Sequence, residues 1–187
     1  PLSRRGGAKG ELLRSFEKHL SAQPMPPSSK EDYRVRGVTA LEGYYDTYAN
    51  TWTNQILPEY AIKGIELSPD ILLTGVIDKL EVLDTANHVA VTDYKTGKPK
   101  SRNEIMGKTR AGDASYYRQL VFYNLLLDKS GKYKMREGII DFVEPSESGK
   151  YRQEKFEISS DEIKNLEELI KETANKILNL SFWDNTC

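Results

Sequence analysis

Three consecutive stretches of the chain have the pattern of extended strands, with apolar runs bounded by turn-forming residues. The stretches cover residues 60–67, 71–83 and 89–97 and are rich in β-branched and apolar residues. The short segments between them, "SPD" and "DTANH", consist mostly of turn-forming residues. This pattern predicts a three-stranded β-meander.

Helical spacing of apolar residues replaces this extended pattern in four other segments. Helices are predicted over residues 11–20, about 37–53, 113–129 and about 160–180. Asp113 and Ser130-Gly131 are expected to cap the third helix, and Ser159 with Glu162 forms a capping box for the fourth. Two further strands are expected over residues 133–145 and 151–160.

The order of these elements predicts an α/β fold in which a mixed central sheet, the meander plus the later strands, is flanked by helices. Residues 1–9 are expected to be loose, and residues 22–30 to form a Pro/Ser linker that cannot continue a helix. We therefore expect an N-terminal helix and linker over residues 1–30 and a single domain over residues 31–187.

Composition places the chain among globular proteins. Its 187 residues are 38% hydrophobic and 29% charged, and no apolar run approaches the ~20 residues of a membrane helix. The first residue is Pro1 rather than Met, which indicates a fragment or a processed chain. The single cysteine, Cys187, excludes an internal disulfide or a cysteine cluster within this sequence and suits a reducing compartment, the cytoplasm.

The net charge of −1 conceals one basic stretch, since residues 95–118 hold seven basic side chains against two acidic ones. Such a concentration of charge is what a phosphate backbone would bind, and Lys98, Lys100 and Arg102 are the candidate contacts. A solubilising loop explains the stretch equally well. The sequence Gly107-Lys108-Thr109 within it resembles the end of a phosphate-binding loop, but Arg102 replaces the first glycine and no strand leads into it, so we exclude an ATP site here.

Candidate chemistry lies in the hairpin of residues 72–95. If its turn centres on "DTAN", Asp78 lies opposite Asp93, and Lys95 shares a strand face with Asp93. Two carboxylates so close require a cation between them or a raised pKa on one of them. A solvated ion pair is the simpler explanation of Asp-x-Lys alone, but the trio has the groups needed for metal-assisted phosphodiester hydrolysis.

The segments "GVID" (75–78) and "DYKTG" (93–97) resemble the G-x-x-D…D-Y-K-T-G signature of the PD-(D/E)xK nuclease superfamily. "QLVFY" (119–123) is similar to the Q-x-x-x-Y motif of its RecB-like branch, which is found at the C-terminus of UvrD/Rep-type helicases. The resemblance covers residues 55–145 most closely and implies a restriction-endonuclease-like core.

The resemblance also implies roles for individual residues. Asp78 and Asp93, with the Tyr94 carbonyl, would bind Mg²⁺ or Mn²⁺, and Lys95 would be the catalytic lysine. Gln119 and Tyr123 would approach DNA near the site, and Tyr116 shares their helix face, although core packing explains the tyrosines as well.

Two features depart from the family pattern. Gly10 or Arg14 stands where a first-helix histidine would bind metal, and His19, late in that helix, is expected to be solvated. Relatives with an iron–sulfur cluster carry four cysteines, so none is expected here. Cys187 looks like the first cysteine of a C-x-x-C pair that continues past the end of the sequence.

These observations predict a Mg²⁺- or Mn²⁺-dependent DNA nuclease, with exonuclease action favoured over endonuclease action. Its expected partners are DNA, as single strands or duplex ends, and the motor domains of a prokaryotic helicase–nuclease that acts in DNA repair or recombination; no membrane partner is expected. Two alternatives remain open. One is a weak or inactive nuclease-like domain that binds DNA or a protein, and the other is a free-standing restriction-type endonuclease, for which no recognition segment is evident.

Overall fold

The computed structural model describes residues 2–53, 55–110 and 112–181, with side chains from residue 8 onward. Its mixed five-stranded sheet, flanked by helices, confirms the predicted α/β fold class. Cys187 and the residues around it lie outside the described part of the chain. The elements in chain order are α1 (Leu2–Ser21), α2 (Pro27–Tyr48), β1 (Ile56–Ser68), β2 (Ile71–Val82), β3 (His88–Lys95), α3 (Arg102–Ile105), α4 (Ser115–Ser130), β4 (Lys134–Phe142), β5 (Arg152–Phe156) and α5 (Ser160–Leu178).

The N-terminal helices are longer than predicted. Helix α1 begins at Leu2, so the prediction of a loose segment over residues 1–9 was wrong; its glycines lower helix propensity by about 1 kcal/mol each but do not end the helix. Helix α2 begins at Pro27, inside the predicted linker. Proline is tolerated in a first helical turn because its missing N–H would have no intrahelical partner there. The break between the two helices is therefore only a few residues long.

The predicted meander is confirmed. The strand order is β1-β2-β3-β4-β5, and both β1–β2 and β2–β3 are antiparallel. In the second pair Lys79 lies opposite Thr92 and Leu80 opposite Val91, which is the register predicted from the turn. Asp84 stabilises that turn because its Oδ1 accepts the backbone N–H groups of Ala86 and His88 at 2.9 and 3.1 Å.

The chain divides into two compact units. The first comprises Pro1–Trp52, Lys95–Pro99 and Phe142–Arg152, and the second comprises Thr53–Tyr94, Lys100–Asp141 and Gln153–Cys187. In the second unit, α4 packs on β1 and β2, and the hydrophobic core is formed by fully buried side chains of the sheet and of α4. These side chains are Ile77, Leu80, Val89, Val91, Leu120, Leu125, Leu126, Leu127 and Ile140.

Within the first unit, α1 packs against α2. The Phe16 ring lies directly on Gly37, where any Cβ would collide with it. Tyr151 lies on Gly43 of the same helix, and its hydroxyl donates a hydrogen bond to the carbonyl of Ala40 at 2.8 Å. None of the helices in the described ranges combines the length and the apolar character that a bilayer crossing requires.

Helix α5 begins with the predicted capping box of Ser159 and Glu162. The Tyr117 hydroxyl of α4 donates a hydrogen bond to Glu162 Oε1 at 2.5 Å. Burial opposes ionisation of Glu162, but the hydrogen bonds from Tyr117 and Ser159 outweigh it and lower the pKa of this carboxyl below its usual value. The ionised carboxylate therefore holds α5 against α4.

This linkage predicts a pH-dependent contribution to stability. A carboxyl whose pKa is lower in the folded state stabilises the protein above its unfolded-state pKa, and the contribution is lost as the pH falls through the folded-state value. We expect Glu162→Gln, which can keep the capping geometry, to lower the melting temperature at pH 7. The difference from the parent should begin to shrink once the pH falls below 4.5, the usual pKa of a glutamate, and should shrink further at lower pH. Melting curves across this range test it, and a pH-independent difference would contradict the role of the charge.

Candidate active site

Asp93 lies near the end of β3 and is 1% exposed. The hydroxyl of Tyr123, on α4, donates a hydrogen bond to Asp93 Oδ1 at 3.3 Å. Lys95, the last residue of β3, follows two positions later. Because side chains alternate along a strand, Asp93 and Lys95 extend from the same side of β3.

Asp78 reaches the same strand from β2. Its side chain is half-buried, and its Oδ2 accepts the backbone N–H of Tyr94 at 2.8 Å. The backbone pairing of β2 with β3 ends at Lys79 and Thr92, so Asp78 lies one position beyond the last pair. The structure thus brings the Asp78 carboxylate to Tyr94, the residue next to Asp93, while the turn composition predicted Asp78 directly opposite Asp93.

Tyr123 joins α4 to this acidic pair. Burial, together with the negative charges of Asp93 and Asp78, raises the pKa of Tyr123 to about 12. The hydroxyl therefore keeps its proton near neutral pH and can donate it in a hydrogen bond. Gln119, one helical turn earlier, donates its side-chain amide to the Tyr123 oxygen at 2.7 Å. A chain of hydrogen bonds runs from Gln119 through Tyr123 to Asp93.

This chain of hydrogen bonds was not foreseen from the sequence, which predicted DNA contacts for Gln119 and Tyr123 and left core packing open for the tyrosine. The structure places Tyr123 in the interior, at 5% exposure, and leaves Gln119 half-buried. Apolar residues surround Tyr123 in the sequence, from Leu120 to Leu127, and signalled a buried helix face. Tyr116, on the same helix, instead lies under the Lys100 ammonium, 4.3 Å from the ring centre.

The donor chemistry of the acidic pair fits a hard divalent cation. Mg²⁺ is typically bound by one or two carboxylates and retains several waters, and Asp78 and Asp93 supply such a pair. Within the described ranges, no three His, Cys, Asp or Glu side chains form a cluster able to hold a metal. His19 is exposed on α1, where its Nδ1 lies 2.7 Å from the Ser15 carbonyl of the same helix.

Two side chains of the basic stretch, Lys98 and Arg102, form contacts within the protein. Lys98 forms an ion pair with Glu147 at 3.0 Å, and both side chains are exposed. Arg102 donates a hydrogen bond to the Lys155 carbonyl at 2.6 Å, and its guanidinium lies over the Phe156 ring at 4.3 Å. Arg102 therefore anchors α3 to β5, a structural role that its position in a charged run did not indicate.

Comparison with known proteins identifies the family. No curated protein matches the chain significantly. Among solved structures, one titled "Crystal structure of SSO0001" is similar with 16% identity and a TM-score of 0.43, covering 91% of this chain and 69% of that one. The sequence profile of the PD-(D/E)XK nuclease superfamily matches residues 2–187. Because the match extends over nearly the whole chain, this protein belongs to the PD-(D/E)XK nuclease superfamily.

Proposed function

We propose that the chain is a Mg²⁺- or Mn²⁺-dependent deoxyribonuclease. The observation that carries the proposal is the convergence of two carboxylates at the end of β3. Asp78 is held by the Tyr94 N–H and Asp93 by the Tyr123 hydroxyl, and Lys95 ends the same strand. Membership of a nuclease superfamily makes phosphodiester hydrolysis the reaction that this arrangement would perform.

The proposed metal ligands are Asp78, Asp93 and the backbone carbonyl of Tyr94. A divalent ion there would supply Lewis-acid stabilisation of the phosphate charge and a water of lowered pKa. Tyr123 orients Asp93 through its hydrogen bond, and Gln119 orients the Tyr123 hydroxyl. Hydrogen bonds from residues that do not themselves bind the metal fix the orientation of a carboxylate that does.

Lys95 is the proposed catalytic lysine. Its ammonium, on the side of β3 that also presents Asp93, would orient the attacking water or stabilise negative charge that develops on the phosphate. A lysine is suited to this role because it provides a compact positive charge with three donors on a flexible stem.

We further propose that the chain is the nuclease module of a prokaryotic helicase–nuclease in DNA repair or recombination. The support is the likeness of the segments at 75–78, 93–97 and 119–123 to the RecB-like branch. Exonuclease action on single strands or duplex ends is part of this proposal and is favoured over endonuclease action. The motor domains would be the protein partner.

Cleavage of matched linear and closed circular DNA tests these proposals. With Mg²⁺ or Mn²⁺, we expect the linear single strand and linear duplex to be degraded and the closed circles to remain intact. Equal cutting of the closed circles would exclude a strict exonuclease and leave the nuclease proposal standing. No cleavage of any substrate with either ion would contradict the nuclease proposal.

A second candidate is a nuclease-like domain that binds DNA or a partner protein with weak or absent catalysis. The observation in its favour is the limited ligand set, because the expected first-helix imidazole is missing and His19 is bonded to its own helix. The two candidates differ in turnover. DNA binding without cleavage, at metal concentrations that saturate the acidic pair, would favour the second.

Lys98 and Lys100 are proposed to contact DNA phosphates without reading bases. Replacing both with alanine should weaken DNA binding and lower the slope of log affinity against log salt by roughly 0.7 per lost single-strand contact. Arg102 is best left unchanged in this test, since it anchors α3. Lys164→Ala, at an exposed position of α5, is the matched control. An unchanged slope in the double variant would assign the lysines to solubility alone.

A further inference from the structure

The first unit contains a cavity of about 410 Å³. Helices α1 and α2 form two of its walls, and residues 96–97 and 143–144 form the others. Its volume lies in the range of pockets that take small ligands. The residues on which the inference depends are Phe16, Tyr33, Arg36, Gly37, Gly97 and Glu144.

Aromatic side chains line the cavity. Phe16 lies against Gly37, where the missing Cβ leaves room for its ring. Tyr33, on the same helix as Gly37, is 53% exposed and therefore contributes little to the core. Aromatic rings in such a setting offer flat surfaces on which a planar ligand can stack.

The cavity contains an ion pair between Arg36 and Glu144. Glu144 Oε2 accepts hydrogen bonds from Arg36 Nε at 2.8 Å and lies 2.6 Å from Arg36 Nη2, while its Oε1 accepts the backbone N–H of Gly97 at 2.8 Å. The negative charge of Glu144 is thus compensated, and the guanidinium, whose side chain is 57% exposed, is held at the cavity. A fixed guanidinium can stack on an aromatic base or bind its oxygen and nitrogen acceptors.

Gly97 leaves its side of the cavity open. Its φ of +112° is a conformation that side chains rarely adopt, and a Cβ built on it would meet no atom within 4 Å. The backbone here is accessible to close approach by a ligand. Gly97 also follows Lys95 by two residues, and two extended residues span at most ~7 Å.

We propose that this cavity receives one unpaired nucleobase of the DNA strand, from a nucleotide next to the phosphate positioned at Lys95. This inference rests on the proposed nuclease function and adds a base-binding subsite to it. Aromatic stacking favours any base without reading sequence, so the subsite would select unpaired over paired nucleotides. The small volume and the compensated charge favour a single planar base over a peptide, which would need a longer groove.

Binding of a normal and an abasic strand tests the proposal without cleavage. A single-stranded oligonucleotide and an abasic sugar–phosphate strand of the same length would be titrated in buffer free of divalent ions. We expect the parent chain to bind the normal strand about tenfold more tightly, and Tyr33→Ala to lose most of this preference. Val35→Ala is the matched control, since Val35 lies on the same helix with 52% exposure and does not line the cavity.

The outcomes separate the subsite from the proposed function. Equal affinity of the parent chain for the two strands would overturn the subsite, and so would an undiminished preference in a folded Tyr33→Ala. Either result, together with metal-dependent DNA cleavage in a separate assay, leaves the proposed function standing. Loss of the preference in Val35→Ala as well as in Tyr33→Ala would also overturn the subsite, because it would show a general effect on α2.

Discussion

Lys95→Ala is expected to abolish metal-dependent cleavage while leaving the melting temperature close to that of the parent. Lys95 ends β3 and is half-buried, so its removal should cost little packing. Removing one group that stabilises transition-state charge commonly lowers kcat by about a hundredfold to a thousandfold. Initial rates on a labelled single strand, at saturating DNA, measure the effect.

Lys98→Ala is the control for this substitution. It removes the same type of side chain three residues later, at a position where the side chain is 84% exposed. At saturating DNA its rate should remain near the parent's, because a ground-state phosphate contact affects binding more than turnover. Parent-like cleavage by Lys95→Ala would show that the catalytic lysine has been misassigned.

Mg²⁺ or Mn²⁺ should raise the melting temperature of the parent but not that of the Asp78→Asn/Asp93→Asn variant. A ligand that binds only the native state stabilises it by ~2.7 kcal/mol at a hundredfold excess over Kd. For a chain of this size the shift corresponds to about 5 to 10 °C. The double variant retains the side-chain shapes and loses both charges, so it should melt at the same temperature with and without the ion.

Asp70→Asn/Asp128→Asn provides the matched control for the loss of two charges. Both residues are exposed, one in the β1–β2 turn and the other near the end of α4. This variant should keep the metal-induced shift. Equal shifts in all three proteins would place the ion elsewhere, and the acidic pair would then be a structural feature.

The β2–β3 register could be predicted because its determinants are local. Turn residues between 84 and 88 fix which positions face each other, and Asp84 holds that turn with its own side chain. Once the turn is set, the proximity of Asp78 to Tyr94 follows from strand geometry. The sequence therefore predicts the acidic pair as well as the meander.

Other features depend on contacts between residues far apart in the chain. Tyr123 contacts Asp93 only because α4 packs on the sheet. Arg102 contacts the Lys155 carbonyl only when β5 is part of the sheet. No local pattern encodes either contact. The cavity beside Gly37 likewise depends on how α1 packs on α2 and on the segment around Glu144.

The central claim is that Asp93 binds the metal used in DNA cleavage. Its most direct test is the cleavage rate of a labelled single strand in Mg²⁺ by the parent, Asp93→Asn and Asp128→Asn. We expect the parent and Asp128→Asn to cleave at similar rates, and Asp93→Asn to be slower by more than about a hundredfold. Mutating a residue that only hydrogen-bonds to a metal ligand lowers activity by about 10- to 100-fold, and loss of the ligand itself should lower it more. A folded Asp93→Asn that cleaves at the parent rate would contradict the account.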